Sequence, residues 1–254
     1  MSFPPPQLPP PLPPRATTRK RTFGRQKTPF QGRYRDLRRN PFVFTNAMIS
    51  VNVGIYVWGL LAGFGDGSGN DQLLRVQEAM VISRQFIDDG EWYRLVSAGF
   101  VHFGIFHIAM NMLLLYQLGR LLEPSLGTLR FGLVYTASLL AGSTGALLLS
   151  PDAFTGGASG AVFGLMAAGV VGLRQRGVNP LQTGLGLTFI INLLITIAIP
   201  GVSIGGHFGG AIAGALCGAA MIPPPRTRQP GWWQVAVPIA IAVASVVIAV
   251  TPLS

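Results

Sequence analysis

The side chains in this sequence that can do chemistry are few, and they stand inside apolar stretches. One serine, Ser159, lies in the run GGASGAVFG at residues 156–164, and the three histidines of the chain are His102, His107 and His207. Ionisable groups within apolar spans are costly to bury and are functional candidates by default. A serine becomes a nucleophile when a neutral histidine accepts its proton, so these types indicate acyl transfer. A serine that only packs between helices is the alternative interpretation.

Acyl transfer also needs N–H donors, because its tetrahedral intermediate carries a negative oxygen. His107 and Asn111 are four residues apart, so on a helix they share one face, and both can donate. His102 is five residues before His107, about 140° around a helix, and is predicted not to lie beside it. A zinc site built on the three histidines is the chemical alternative, but no acid joins them. We therefore expect no metal and no cofactor.

Glycines recur every four residues close to both the serine and the third histidine. They are Gly160 and Gly164 after Ser159, and Gly206, Gly210, Gly214 and Gly218 around and after His207. A helix face without side chains lets another helix come very close. Because a serine side chain is short, it meets a histidine on another helix only where the two backbones nearly touch. The spacing predicts a Ser159–His207 dyad, with no acid at this depth to orient the histidine.

The composition predicts that the membrane is the solvent for most of the chain. The 254 residues are 49% hydrophobic and 11% charged, with a mean hydropathy of +0.46. Several nearly uncharged windows reach the length that crosses ~30 Å of hydrocarbon, and a backbone in lipid should be helical. Seven spans are predicted, at about 43–64, 102–119, 129–149, 158–174, 182–199, 205–222 and 233–251.

The net charge of +10 is concentrated at one end. Ten of the nineteen Lys and Arg residues lie between Arg15 and Arg39, ahead of the first span, and residues 1–14 contain eight prolines. A basic block at this place sets topology and contacts anionic lipid, so no nucleic-acid partner is expected. The proline run predicts a disordered tail. Nothing in the sequence indicates an oligomeric state.

Placing the basic tail inside puts every short arginine-containing loop inside as well. The second, fourth and sixth spans then run inward, so the candidate side chains near their starts lie at similar depth in the outer half of the bilayer. The C-terminus is predicted outside, and a bacterial inner membrane fits best. Polar residues of the fifth span are predicted to form isolated interhelical hydrogen bonds rather than a channel: Thr188, Asn192 and Thr196.

Five segments in order resemble the rhomboid intramembrane serine proteases. They are GEWYRLVSAGFVH with Trp92 and Arg94, HFGIFHIAMNM with His107 and Asn111, LEPSLGTLRF with Glu123, Gly127 and Arg130, GGASGAVFG with Ser159, and GGHFGGAIAG with His207. The resemblance covers roughly residues 42–222. It implies an all-α polytopic membrane protein with a six-helix core there, after a disordered cytoplasmic tail at 1–41. A linker and a seventh transmembrane helix, which Pro238 can kink, follow at 223–254.

The resemblance also implies an activity and a role for each residue. Ser159 would be the nucleophile, His207 the general base, and Asn111, His107 and the Ser159 backbone N–H the oxyanion site. Supporting residues would be His102, which hydrogen-bonds to hold the second span, Gly157, Gly160, and Phe163, which packs on the catalytic histidine. The enzyme would hydrolyse peptide bonds in or near transmembrane segments of other membrane proteins through an acyl-enzyme, with the fifth span and the loop before His207 as gate and cap. The alternative is a non-catalytic rhomboid-like protein that binds membrane clients.

Overall fold

The computed structural model describes residues 42–61, 69–225, 227 and 230–252, with only the backbone described for 69–72. The predicted tail at 1–41, Arg226 and Arg228 lie outside this part. The described part is helical and contains no strand. Its helices are α1 (Val43–Leu61), α2 (Gly69–Met80), α3 (Arg84–Asp88), α4 (Arg94–Ser97), α5 (Ile105–Leu126), α6 (Thr128–Leu149), α7 (Ser159–Gln175), α8 (Gly184–Ala198), α9 (Ile204–Met221) and α10 (Trp233–Val250).

A helix occurs at each of the seven predicted spans. Five of them, α1, α5, α6, α9 and α10, are long and apolar enough to cross a membrane by length and composition. The other two, α7 and α8, are shorter, with 17 and 15 residues. The polytopic all-α class is therefore confirmed, and the count of seven spans stays a prediction.

The bounds predicted for the second span are wrong at both ends. Helix α5 begins at Ile105, so His102 lies in the preceding loop, and it continues to Leu126 rather than ending near residue 119. The predicted span ended near residue 119 because Arg120 and Glu123 are charged, although Glu123 is buried and accepts hydrogen bonds from four donors. A run of apolar residues marks the part of a helix that lies in hydrocarbon, whereas the helix itself ends where its backbone hydrogen bonds end.

Helix α9 lies between α6 and α7 on contacts that only glycine allows. A Cβ placed on Gly205 would meet the backbone of Gly145 in α6, and one on Gly210 would meet the carbonyl oxygen of Gly160 in α7. Gly214 stands in the same relation to the carbonyl of Gly164. The predicted glycine ridge is therefore confirmed, and it seats one helix against two others at once.

Residues 69–104, the described part of the chain between α1 and α5, fold into short helices. Arg94 is buried at its centre and donates to the carbonyl oxygens of Glu78 and Val81 at 2.6 and 2.9 Å, while its guanidinium lies 3.8 Å from the Phe86 ring. Hydrogen bonds from the Tyr93 hydroxyl and from Arg94 lower the pKa of the Glu91 carboxyl. The arginine therefore holds together three short helices that precede the candidate site.

Helix α10 packs against α6 and is anchored at its C-terminal end. The Thr144 hydroxyl of α6 lies 2.9 Å from the Ser245 carbonyl of α10 and 2.9 Å from the Leu140 carbonyl of its own helix, and its one hydrogen is shared between them. Arg84 donates to the carbonyls of Ala249 and Thr251 at 3.0 and 3.1 Å, where a cation complements the helix dipole. Pro238 lies within the helix, which continues past it.

A buried carboxylate joins the start of α1 to the end of α5. Glu123, 1% exposed, accepts hydrogen bonds from the backbone N–H groups of Phe44 and Thr45 at 2.9 and 3.0 Å. The hydroxyls of Thr45 and Thr128 donate to the same carboxylate at 2.6 and 3.0 Å. Four donors satisfy the charge, so both helices and the start of α6 are tied to one group.

We expect Glu123→Gln to lower the free energy of unfolding by about 2–4 kcal/mol, because an amide N–H₂ then faces two of the four donors and the charge is lost. Thermal unfolding of the purified protein in detergent measures this change. Glu78→Gln, at an exposed acid, is the matched control and should change stability by less than about 0.5 kcal/mol. Equal stability of the two variants would contradict the role assigned to Glu123.

Candidate active site

Three helix N-termini supply the candidate residues. Ser159 is the first residue of α7, His207 is the fourth residue of α9, and His107 and Asn111 occupy the first two turns of α5. The first N–H groups of a helix have no partner within it, so the Ser159 N–H is free of the α7 ladder. Each predicted residue therefore lies at the start of its helix, where free backbone N–H donors and the positive end of the helix dipole are also found.

Gly157 brings the serine and the first oxyanion candidate to one point. Its φ of +128° is a conformation that L side chains rarely adopt, and its N–H donates to the Ala98 carbonyl at 2.8 Å. A Cβ built there would lie 2.8 Å from His107 Nε2 and 3.7 Å from Ser159 Oγ. The imidazole edge and the hydroxyl therefore flank the same small space, which any side chain at position 157 would fill.

The hydrogen bond of His107 indicates which of its nitrogens carries the proton. Its Nδ1 accepts from the Phe103 backbone N–H at 3.4 Å, and its ring stacks on Phe103 with centroids 6.0 Å apart. A backbone N–H can only donate, so a neutral ring in this contact carries its hydrogen on Nε2. His107 therefore presents a donor to the space over Gly157.

Asn111 is buried one turn further along the same face of α5. Its amide donates one hydrogen to the His107 carbonyl at 2.9 Å. An asparagine amide has two N–H donors, so the second can serve an anion. The predicted (i, i+4) pairing of these two residues is present.

His207 contacts α7 one helical turn after Ser159. Its ring stacks on Phe163 at a centroid distance of 4.1 Å and an interplanar angle of 16°. Gly206, just before it, has its carbonyl oxygen 3.2 Å from the point where a Cβ would stand on Gly160, just after Ser159. The backbones beside the serine and beside the histidine are thus in contact, at the position that the glycine spacing predicts. Phe163 provides the ring contact that the family resemblance implies.

The second partner of His207 comes from α8. The Thr196 hydroxyl lies 2.7 Å from His207 Nδ1, and Thr196 is itself buried. The sequence predicted an interhelical hydrogen bond for this threonine without naming its partner. The sequence showed only that Thr196 is a polar residue in an apolar span. That pattern does not indicate which neighbouring helix the side chain faces.

His102 lies beside His107, which helical spacing predicted it would not do. Its ring is 4.9 Å from that of His107 in an edge-to-face contact, although a continuous helix would have separated them. The loop before α5 folds back, so helical spacing does not apply. Among the described residues, no hydrogen bond of standard geometry joins its ring nitrogens to a partner, and its backbone oxygen accepts from Gln77 at 3.0 Å. Its ring packs on that of His107, and the supporting hydrogen bond that the resemblance implies for it stays a prediction.

A small cavity of about 20 Å³ adjoins the serine. Four hydroxyl residues, Ser143, Thr155, Ser159 and Ser203, line it together with neighbouring glycines and the apolar side chains of Ile82, Ala98 and Leu139. A space of this size has room for about one water molecule, which the hydroxyl groups could bind. Within the described ranges, no group of three or more His, Cys, Asp or Glu side chains is arranged to hold a metal ion.

Comparison with known proteins gives the following relatives. The family model of the rhomboid domain matches residues 89–224. Rhomboid protease GluP of Bacillus subtilis (strain 168) is 32% identical over 167 residues, which are 65% of this chain and 32% of that protein. RHOMBOID-like protein 5 of Arabidopsis thaliana is 32% identical over 133 residues, covering 50% of this chain and 43% of the relative. RHOMBOID-like protein 2 of the same plant is 40% identical over 82 residues, covering 32% and 26%. The chain spans less than half the length of each of these proteins.

Proposed function

The chain belongs to the rhomboid family and is a multi-pass membrane protein, and from this premise we propose that it is an intramembrane serine endopeptidase. Its substrates are other membrane proteins, cut in or near a transmembrane segment. One observation carries the proposal: His107 Nε2 and Ser159 Oγ flank a single point at Gly157. The stacking of His207 on Phe163, one helical turn after that serine, supports it.

In the proposed acylation step, Ser159 Oγ attacks the peptide carbonyl carbon while His207 Nε2 takes the hydroxyl proton. The carbonyl oxygen becomes negative and accepts hydrogen bonds from the Ser159 N–H, His107 Nε2–H and the second N–H of Asn111. Collapse of this intermediate breaks the C–N bond, and His207 passes its proton to the leaving amine. The acyl group remains as an ester on Ser159.

Deacylation repeats the sequence with water in place of the amine. His207 takes a proton from the water as its oxygen attacks the ester carbonyl, and then returns a proton to Ser159 Oγ as the ester bond breaks. The cavity beside Ser159 can hold that water at the reacting serine. The site thus ends in its starting protonation state, and a carboxylic acid and an amine are released.

Substrate entry is assigned to α8 and the loop after it. Only Gly186 and Thr196 of that helix are fully buried. The helix packs on the core along one face, through Leu185, Phe189 and Leu193, and its opposite face is exposed. Gly201, at φ +84°, lies in the loop between α8 and α9 and suits a turn that caps the site. A peptide bond in a helix is shielded by the helix itself, so the substrate segment must unwind before attack.

The proposal includes the organisation and orientation expected from the sequence. Residues 42–222 form the protease core, residues 1–41 a cytoplasmic tail, and residues 223–254 a linker with the seventh transmembrane helix. The N-terminus is cytoplasmic and the C-terminus outside, in a bacterial inner membrane. The relatives named RHOMBOID-like carry no activity in their names, so binding of membrane clients without cleavage is the competing outcome.

We expect Ser159→Ala to abolish cleavage of a single-span substrate by the purified full chain in detergent. Removing the nucleophile leaves only background hydrolysis. Ser150→Ala, at an exposed serine nine positions earlier, is the matched control and should cleave at the wild-type rate.

A fluorophosphonate probe makes the test independent of substrate choice. Attack by Ser159 Oγ forms an O–P bond and releases fluoride, and mass spectrometry locates the adduct. Labelling of the wild type and not of Ser159→Ala supports the protease. Cleavage or labelling that persists in Ser159→Ala would assign another nucleophile. Absence of both in the folded wild type would favour the client-binding alternative.

A further inference from the structure

We propose that Thr196 is a positioning residue that holds His207 in the tautomer protonated on Nδ1, so that Nε2 stays open to take the Ser159 proton. This inference rests on the proposed function. It starts from one contact, the 2.7 Å distance between Thr196 Oγ1 and His207 Nδ1. Thr196 is 1% exposed on a helix whose other residues are mostly exposed, so its hydroxyl is directed into the protein.

The proton count of the threonine fixes the direction of this hydrogen bond. A hydroxyl has one hydrogen and two lone pairs. The Thr196 hydroxyl lies 2.7 Å from the Asn192 carbonyl, one turn earlier in α8, and a carbonyl can only accept. The single hydrogen therefore goes to Asn192, as threonines in helices commonly arrange. What remains toward His207 is a lone pair, so the contact is a hydrogen bond only when Nδ1 carries the hydrogen.

The opposite tautomer would leave one of the two short contacts repulsive. If the hydroxyl turned to donate to an unprotonated Nδ1, two oxygens 2.7 Å apart would face each other at Asn192 with no hydrogen between them. In a buried site such an unsatisfied contact is costly. The arrangement with Nδ1–H satisfies both contacts, and it persists when Nε2 gains a proton, because Nδ1 stays a donor in the imidazolium.

The group that contacts Nδ1 differs between His107 and His207, and it gives the two histidines opposite hydrogen-bonding roles at Nε2. A backbone N–H, from Phe103, meets Nδ1 of His107 and makes its Nε2 a donor. A hydroxyl lone pair, from Thr196, meets Nδ1 of His207 and makes its Nε2 an acceptor. A neutral hydroxyl thus performs the orienting task that an acid performs in a catalytic triad, without placing a second charge in the membrane.

Two substitutions separate the hydroxyl from the shape of the side chain. Thr196→Val keeps the volume and removes the hydrogen bond, and we expect kcat to fall about tenfold with KM unchanged. Thr196→Ser keeps the hydroxyl, and its kcat should stay within about twofold of wild type. Thr136→Val removes an exposed hydroxyl from α6, outside the helix assigned to substrate entry, and is the matched control, expected at the wild-type rate.

A spectroscopic readout reports on the tautomer itself. In protein labelled with ¹⁵N-histidine, the three histidines are assigned by single substitutions, and two-bond ¹H–¹⁵N correlations show which ring nitrogen carries hydrogen. We expect Nδ1–H for His207 in the wild type and in Thr196→Ser, and a population with Nε2–H in Thr196→Val. Nε2–H in the wild type, or a Thr196→Val protein with unchanged tautomer and kcat, would overturn the inference.

These experiments distinguish failure of the protease proposal from failure of the Thr196 proposal. Failure of the wild type to cleave substrate or react with the fluorophosphonate overturns the protease, while the wild-type tautomer still reports on the Thr196 contact. Normal wild-type activity with an unaffected Thr196→Val variant overturns only the positioning role. If Thr196→Val does not fold, the wild-type spectrum and the Thr196→Ser variant still decide the question.

Discussion

His207→Ala is expected to reduce turnover of a single-span substrate by about 10⁴-fold or more, close to the uncatalysed background. In the proposed mechanism, the variant loses the group that accepts the serine proton and later protonates the leaving amine. At neutral pH an unassisted serine hydroxyl is a poor nucleophile, so Ser159 cannot compensate. Initial rates of cleavage, measured with wild-type and variant protein at equal concentration in detergent, give the ratio.

The double variant Ser159→Ala/His207→Ala sharpens this prediction. When two residues act together in one step, removing either of them already removes their joint contribution to the rate. The double variant should therefore be no slower than either single variant. Additive losses would indicate that the two residues act in separate steps. Thr136→Val, in α6, again serves as the control for a substitution within the membrane helices. Substantial cleavage by His207→Ala would contradict the assignment of the base.

The second large effect concerns the glycine ridge. We expect Gly214→Ala to lower the free energy of unfolding by about 3 kcal/mol or more, enough to deplete the folded protein. The added Cβ would meet the carbonyl oxygen, carbonyl carbon and Cα of Gly164, all of which are backbone atoms. A flexible side chain can move aside, whereas here α7 and α9 must separate. Because these two helices carry Ser159 and His207, activity should fall with stability.

Gly54→Ala is the matched control for this test. Gly54 also lies within an apolar helix, but a Cβ there has nothing within 4 Å. Alanine is the better helix former, so this variant should be as stable as wild type or slightly more stable. Thermal unfolding and resistance to an added protease, measured on both variants in detergent, check the prediction. Equal stability of Gly214→Ala and Gly54→Ala would mean that α7 and α9 are not as closely packed as described.

The sequence by itself was sufficient for the candidate residues and their neighbourhood. Residue type singled out Ser159 and His207, because polar groups in apolar spans are rare and costly. Four-residue spacing paired His107 with Asn111 and predicted the glycine contacts between α7 and α9. Counting spans placed each of these side chains near the start of a helix. All of these patterns are local or periodic in the sequence, so they can be recognised without knowing how the helices are rotated against one another.

The tertiary structure was needed for the contacts that residue spacing does not encode. His102 lies beside His107 only because the chain folds back before Ile105, and Glu123 continues α5 only because four donors surround its charge. The partner of His207 was likewise beyond the sequence. Which residue of α8 meets Nδ1 depends on the rotation and depth of one helix against another, and those follow from packing across the whole bundle. Sequence thus identified the candidate groups, and packing determined the hydrogen-bond partner that each of them meets.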